Sequence, residues 1–246
     1  MGSTTIRVGP LLAIVLIALV AVTAVVAAAG RLGTARASVT ASVRAVVQLA
    51  VVSLVIVAVL RSAWLTAAFV AVMYGVAAFT AGRRATSHRS GALAALPIAA
   101  GVVPILAGLL ASGLVPVEPI AIVPIAGILI GGAMTAAGLA GRRALDDLES
   151  RFGEYEAALA LGFTSSRARR DLTRPAAAQA MFPALDQTRS VGLVTLPGAF
   201  VGVLLGGGSP VQAGAAQVLV LIGLLAVETV AVLAAVELVA QGWLRR

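Results

Sequence analysis

The sequence predicts an all-α integral membrane protein with about seven transmembrane helices, and three observations predict it. Hydrophobic residues make up 60% of the 246 residues and charged residues only 11%, with a mean hydropathy of +1.05. Soluble domains average roughly 45–50% apolar and about 25% charged, so a soluble fold would have to bury more apolar surface than its volume allows. The apolar residues fall into seven runs, and roughly 20 residues of helix suffice to cross the hydrocarbon layer. Period-two alternation, the mark of a membrane β-barrel, is absent.

In order, the runs are Val8–Ala29, Val43–Leu60, Ala63–Thr80, Ala92–Leu110, Pro119–Ala140, Val191–Leu205 and Val211–Val239. The first has Arg7 before it and Ala27-Ala28-Ala29 after it, as a signal peptide would. Its apolar stretch is long for a signal h-region, so it is expected to remain as a span. The second, third and sixth runs are short for a span, which makes their ends the least defined. Runs four to six gather Pro97, Pro104, Pro119, Pro124 and the pair Pro197-Gly198. A proline removes a backbone hydrogen bond, which a membrane tolerates only where protein or water satisfies the freed group. Gly198, Gly202 and Gly206, like Gly127 and Gly131, recur every four residues. Such ridges let helix backbones approach closely, as static packing or as a sliding element along a translocation path.

Orientation follows from arginine. All 18 basic residues are Arg. The segments after runs one, three, five and seven hold 16 of them: Arg31, Arg36 and Arg44; Arg83, Arg84 and Arg89; eight from Arg142 to Arg189; and Arg245 and Arg246. The alternate side holds Arg7 and Arg61. The positive-inside rule then puts the N-terminus outside and the C-terminus in the cytoplasm. Trp64 and Trp243 fit interface anchors at opposite faces.

Composition also excludes chemistry. Without Cys there is no disulfide, thiolate metal site or thiol nucleophile. Without Lys there is no phosphate-binding P-loop, so Gly206-Gly207-Gly208-Ser209 cannot be one. The chain itself is therefore expected not to be an ATP-hydrolysing enzyme. The net charge of +8 punctuates hydrophobic runs and is not interleaved with aromatics, so no nucleic-acid partner is expected. His88 stands alone among arginines and is expected to face solvent. Met73 and Met134 suit core gap-filling as well as metal contact.

Inside the apolar runs, Gln48 and Glu228 stand out. An ionised carboxylate at bilayer depth costs on the order of 3 kcal/mol unless it is protonated, paired or wet, so Glu228 either meets a cargo or proton or locks neighbouring helices. Glu237 lies on the opposite face of the same helix, nearer water.

Residues 141–190 form a charged, helix-prone island, expected in the cytoplasm as a segment of one 1–246 membrane domain. Gly162 and Pro175 are expected to break it into successive helices. Phe152, Tyr155, Leu159 and Leu161 can share one face, with Glu149, Glu154 and Glu156 outside it. Such a helix fits a groove on a soluble partner or lies on anionic lipid.

The spacing Glu156-Ala157-Ala158-x3-Gly162-x9-Leu172-x-Arg174-Pro175 resembles the EAA signature of ABC transporter permeases, with Arg174 where the signature has Leu. Flanking stretches are similar to the FetB-like permease family, which comprises bacterial iron-export permeases and plant aluminium-tolerance relatives. They are Ser42 to Leu49, Gly131-Gly132-Ala133-Met134-Thr135, Val191 to Gly198, and Gly206 to Pro210 followed by Gln217. The resemblance covers roughly residues 40–225. It departs after Gly198, where the family's Met-Met-Thr-Gly-Gln is replaced by Ala199-Phe200-Val201-Gly202-Val203, removing thioethers and an amide that could touch a metal cargo.

The resemblance implies a multi-pass permease of the inner (plasma) membrane, working as a homodimer to export iron or another metal. A separate ATPase subunit, which binds the ATP and Mg, would dock on Glu154, Tyr155, Glu156, Ala157, Ala158, Gly162, Arg174 and Pro175. Gln48, Met134, Pro197, Gly198 and Glu228 are the candidates along the translocation path; the ligands of any metal remain open. Two other classes fit the residues alone: a proton-coupled secondary transporter using Glu228, and a non-transporting membrane scaffold.

Overall fold

The computed structural model describes residues 9–246, so Arg7 and Val8 lie outside it. The chain divides into two compact units, one ending at Val59 and the other Leu60–Arg246. The first holds α1 (Pro10–Ala29) and nearly all of α2 (Ala35–Leu60). Both helices present apolar side chains outward, among them Ile17 and Leu54. α2 begins eight residues before the expected Val43. Ser38, Thr40 and Ser42 turn their hydroxyls back to carbonyls four residues earlier at 2.9–3.0 Å, so a polar stretch stays helical.

The second unit contains α3 (Ala63–Ala85), a 3-10 turn (Arg89–Ala94), α4 (Ala95–Ala111), α5 (Pro119–Ser150), α6 (Phe152–Ala160), α7 (Ser165–Ala178), α8 (Phe182–Ser190), α9 (Gly198–Leu205) and α10 (Pro210–Ala240). Ser62 caps α3, and a Ser209–Gln212 capping box starts α10 behind Pro210. α3, α4, α5 and α10 pack around a core in which alanine predominates, including Ala77, Ala81, Ala126, Ala133, Ala137 and Ala231 beside Ile98, Leu129 and Val227. In lipid the hydrophobic effect does not drive helices together, so small residues that permit close contact supply the adhesion.

Glycine marks the closest approaches. A Cβ on Gly82 would sit 2.3 Å from the Gly91 carbonyl, and one on Gly101 would sit 2.5 Å from the Val227 carbonyl. These are not the expected ridges: Gly131, Gly198 and Gly202 face open space, and Gly127 meets only the end of Met73.

Among the described residues, six helices are long and apolar enough to cross a membrane, against the seven expected. The sixth run is the exception. Gly192 (φ +81°) sits in a turn in which its N–H bonds the Thr195 carbonyl at 2.9 Å. Helix forms only from Gly198, after Pro197, and lasts eight residues, about 12 Å. The segment nevertheless climbs along α10. Ala180 packs in a cluster with Val232 and Val239, whereas the Phe200 N–H bonds Gln217, roughly 22 Å further up that helix.

The arginine-rich ends of α3, α5 and α10 meet at one end of this unit. Thr86 donates to the Arg245 carbonyl at 2.7 Å, and Arg246 pairs with Asp146 and Glu149. Arg61 and Trp64 lie at the other end, at the start of α3. With 32 residues, α5 is about 48 Å long. That exceeds the roughly 30 Å hydrocarbon layer, so its charged last turns project beyond it.

Candidate functional site

At the arginine-rich end, α6 and α7 fold into a hairpin against the end of α5. The turn between them has a specific cause. Gly162 takes φ +89°, its N–H bonds the Leu159 carbonyl at 2.9 Å, and the Phe163 N–H bonds the Ala158 carbonyl at 3.1 Å. This is the Schellman arrangement, in which the left-handed residue favours glycine. The expected break at Gly162 is therefore present. The break expected at Pro175 is not: Pro175 lies inside α7, near enough its end that only the last turn loses a hydrogen bond. The helix gives way instead to a 3-10 turn at Gln179–Met181.

Arg151 clamps the hairpin to α5. Its guanidinium reaches the Glu154 carboxylate at 2.5 and 2.8 Å, Asp147 at 3.4 Å and the Leu172 carbonyl at 3.3 Å. The hydrogen bond from Arg151 holds Glu154 below the usual carboxylate range. Tyr155 points inward against Ala168 and Leu172. Its hydroxyl pairs with Ser165 at 2.8 Å, and the Arg169 guanidinium sits 5.4 Å from its ring centre. The Ser165 hydrogen bond, and after it Arg169, bring the phenol below its ordinary range. Of the proposed docking residues, Tyr155 thus joins α6 to α7, Ala158 is half-buried beside it, and Glu154 is held by Arg151. Glu156, Ala157, Gly162, Arg174 and Pro175 are exposed, together with Phe152, Leu159, Leu161 and Phe163. Phe152, Tyr155 and Leu159 lie on one side of α6, with the Phe152 and Tyr155 rings 5.6 Å apart, but only Tyr155 is buried against α7.

Sequence reasoning missed a second attachment. Arg170 on α7 donates twice to Glu237 on α10, at 2.7 and 2.9 Å, and Gln241 also donates to Glu237 at 2.6 Å. The partners stand 67 residues apart; Glu237's position near the end of an apolar run was the only signal. The hairpin is therefore fixed to both long helices of the bundle.

Deeper in the bundle, Glu228 is buried on α10. Its Oε1 would lie 2.7 Å from a Cβ on Gly132 of α5. It makes no hydrogen bond or ion pair with another described residue, and Gly101 of α4 abuts the adjacent Val227. Met134 is half-buried in the same core. Gln217 lies 11 residues before Glu228, three turns away on the same face of α10, and its Oε1 accepts from the Phe200 N–H at 3.3 Å. It satisfies a first-turn donor of α9 that Pro197, the N-cap, has no side-chain acceptor to meet. Pro197 is half-buried and Gly198 exposed at the start of α9, so these two and Glu228 belong to different levels of α10. Gln48 is exposed on α2. His88 is exposed, its ring accepting from the Ser90 N–H at 3.1 Å. Among the described residues, no three His, Asp or Glu side chains converge as metal ligands.

The chain is 37% identical over 170 residues to UPF0014 membrane protein STAR2 of Oryza sativa subsp. japonica, covering 69% of this chain and 59% of that one. It is 37% identical over 161 residues to Protein ALUMINUM SENSITIVE 3 of Arabidopsis thaliana, covering 65% and 59%. It is 35% identical over 126 residues to the Probable iron export permease protein FetB of Escherichia coli K12, covering 51% and 48%. The matched stretch thus spans about three fifths or less of each relative. No solved structure matches. The model of an uncharacterised protein family, UPF0014, matches residues 11–244, and the chain is a membrane protein of that family.

Proposed function

We propose that this chain is the membrane-spanning permease subunit of an ABC transporter, exporting a metal such as iron across the plasma membrane. A separate ATPase subunit, holding ATP and Mg, docks on residues about 150–175. The observation that carries this reading is the α6–α7 hairpin. It exposes Glu156, Leu159, Leu161 and Arg174 while Arg151 and Arg170 tie it to α5 and α10. A push on its outer face would reach both helices that enclose Glu228. Salt bridges and packed helices transmit force where an element has two discrete arrangements, and nucleotide binding by the partner would select between them. One hairpin per chain, set against two ATPases in such machines, points to a homodimer. The export direction and the metal are taken from the likeness to FetB, a probable iron export permease.

The test is affinity capture of this chain from its own cells and identification of any co-purifying ATPase that carries a P-loop. Glu156→Arg should reduce recovery of the ATPase at least tenfold, and Gly162→Arg should do so by disordering the turn. Undiminished recovery with both variants refutes the docking assignment. One observation favours a second reading: Glu228 is buried without a partner, as a proton-coupled carrier requires. Transport in vesicles that persists without ATP and collapses with the proton gradient would select that reading instead.

A further inference from the structure

At the arginine-rich end, the tips of α3 and α5 border an open polar cavity of about 430 Å³ lined by Arg83, Arg84, Thr86, Ser87, Arg142 and Arg246. Its charges are unevenly matched. Arg246 is held by Asp146 and Glu149, and Arg142 lies 3.8 Å from Asp146. Arg83 and Arg84 make no ion pair with a described residue. The end of α3 contributes about half a negative charge, too little to offset two guanidinium groups. The Thr86 hydroxyl is committed to the Arg245 carbonyl, which leaves Ser87 as the exposed hydroxyl donor.

Depth and pattern identify the anion. Arg83 lies 20 residues from the start of α3, about 30 Å, and Arg142 lies 23 residues from the start of α5, about 34 Å. Both therefore sit at the edge of a roughly 30 Å hydrocarbon layer, in the headgroup zone. Val72, Val76 and Phe79 are exposed at 61%, 55% and 71%. They precede Arg83 at spacings of four, three and four residues, so one face of α3 presents an apolar track that ends on a guanidinium. We propose that this cavity binds the phosphate of an anionic phospholipid, with an acyl chain lying along that track. Guanidinium forks match phosphate oxygens bidentately, and basic pockets between membrane helices suit such headgroups. A freely diffusing phosphate would have no use for the apolar stripe.

The test is native mass spectrometry of the purified full chain with added phosphatidylglycerol or phosphatidylcholine. The wild type should retain phosphatidylglycerol preferentially. Each of Arg83→Gln and Arg84→Gln should lower that preference about fivefold and the double variant about thirtyfold. A control, Arg89→Gln with Arg189→Gln, removes the same charge from exposed sites outside the cavity and should leave the preference intact. Equal behaviour of the two double variants would mean diffuse attraction and overturn the site. Retention of inorganic phosphate alone, with no lipid preference, would overturn the lipid assignment. If the double variant is not recovered folded, the two single variants give the same reading.

Discussion

Two glutamates nine residues apart on α10 live in opposite circumstances. Glu237, at the arginine-rich end, accepts two hydrogen bonds from Arg170 and one from Gln241. Glu228, midway along the helix, is buried against Gly132 with no partner among the described residues. The first carboxylate is a fastening, satisfied in every direction and attached to an element outside the membrane. The second has no partner among the described residues, which is costly for a carboxylate at bilayer depth unless it is protonated or wet. One helix thus carries a fastened end and an unpaired middle.

The sharpest way to break this contrast is to neutralise each carboxylate. Glu228→Gln should stabilise the protein by up to about 3 kcal/mol while abolishing transport. Glu237→Gln should not stabilise it. Thermal unfolding in nanodiscs reads both, and stabilisation by both variants would erase the distinction. Next in size is packing around the middle. Gly101→Ala drives a Cβ to 2.5 Å from the Val227 carbonyl and should cost about 1–3 kcal/mol. Gly202→Ala on the open face of α9 should be neutral or slightly stabilising, by at most about 1 kcal/mol. Smaller again is the fastening: a double-mutant cycle of Arg170→Ala and Glu237→Ala should give a coupling of about 0.5–1 kcal/mol, because both groups are partly exposed.

The smallest effect is acid sensitivity of the hairpin. Arg151 lowers the folded-state pKa of Glu154 below the ordinary 4.5, so the pair's contribution is present above that ordinary value. It is lost as pH falls through the depressed one. Amide exchange, corrected for intrinsic rate, should show α6 losing protection in that acid window, and Arg151→Gln should remove the pH dependence.

How far the sequence disclosed this depends on the kind of signal. Long apolar runs announce helices, so α1, α4 and α10 lie close to where hydropathy put them. Polar continuations did not show, because Ser38 and Ser42 stay helical by bonding their own backbone. α5 runs on past Arg142 and Arg143 to Ser150. The sixth run has the composition of a span, but Gly192 and Pro197 leave it only eight helical residues. Gly162 was legible because a left-handed turn favours glycine, whereas the inward turn of Tyr155 depends on α7. The Arg170–Glu237 bond and the glycines that touch, Gly82, Gly101 and Gly132, are products of tertiary packing that no local pattern encodes.

The hairpin can act as a lever for a cytoplasmic ATPase only if it faces the cytosol. The chain has no cysteine, so Glu156→Cys provides a single reactive thiol at an exposed position. Treated with a membrane-impermeant maleimide, intact cells should leave that thiol unlabelled, and opened membranes should label it fully. Full labelling in intact cells would put the hairpin outside and contradict the proposed role.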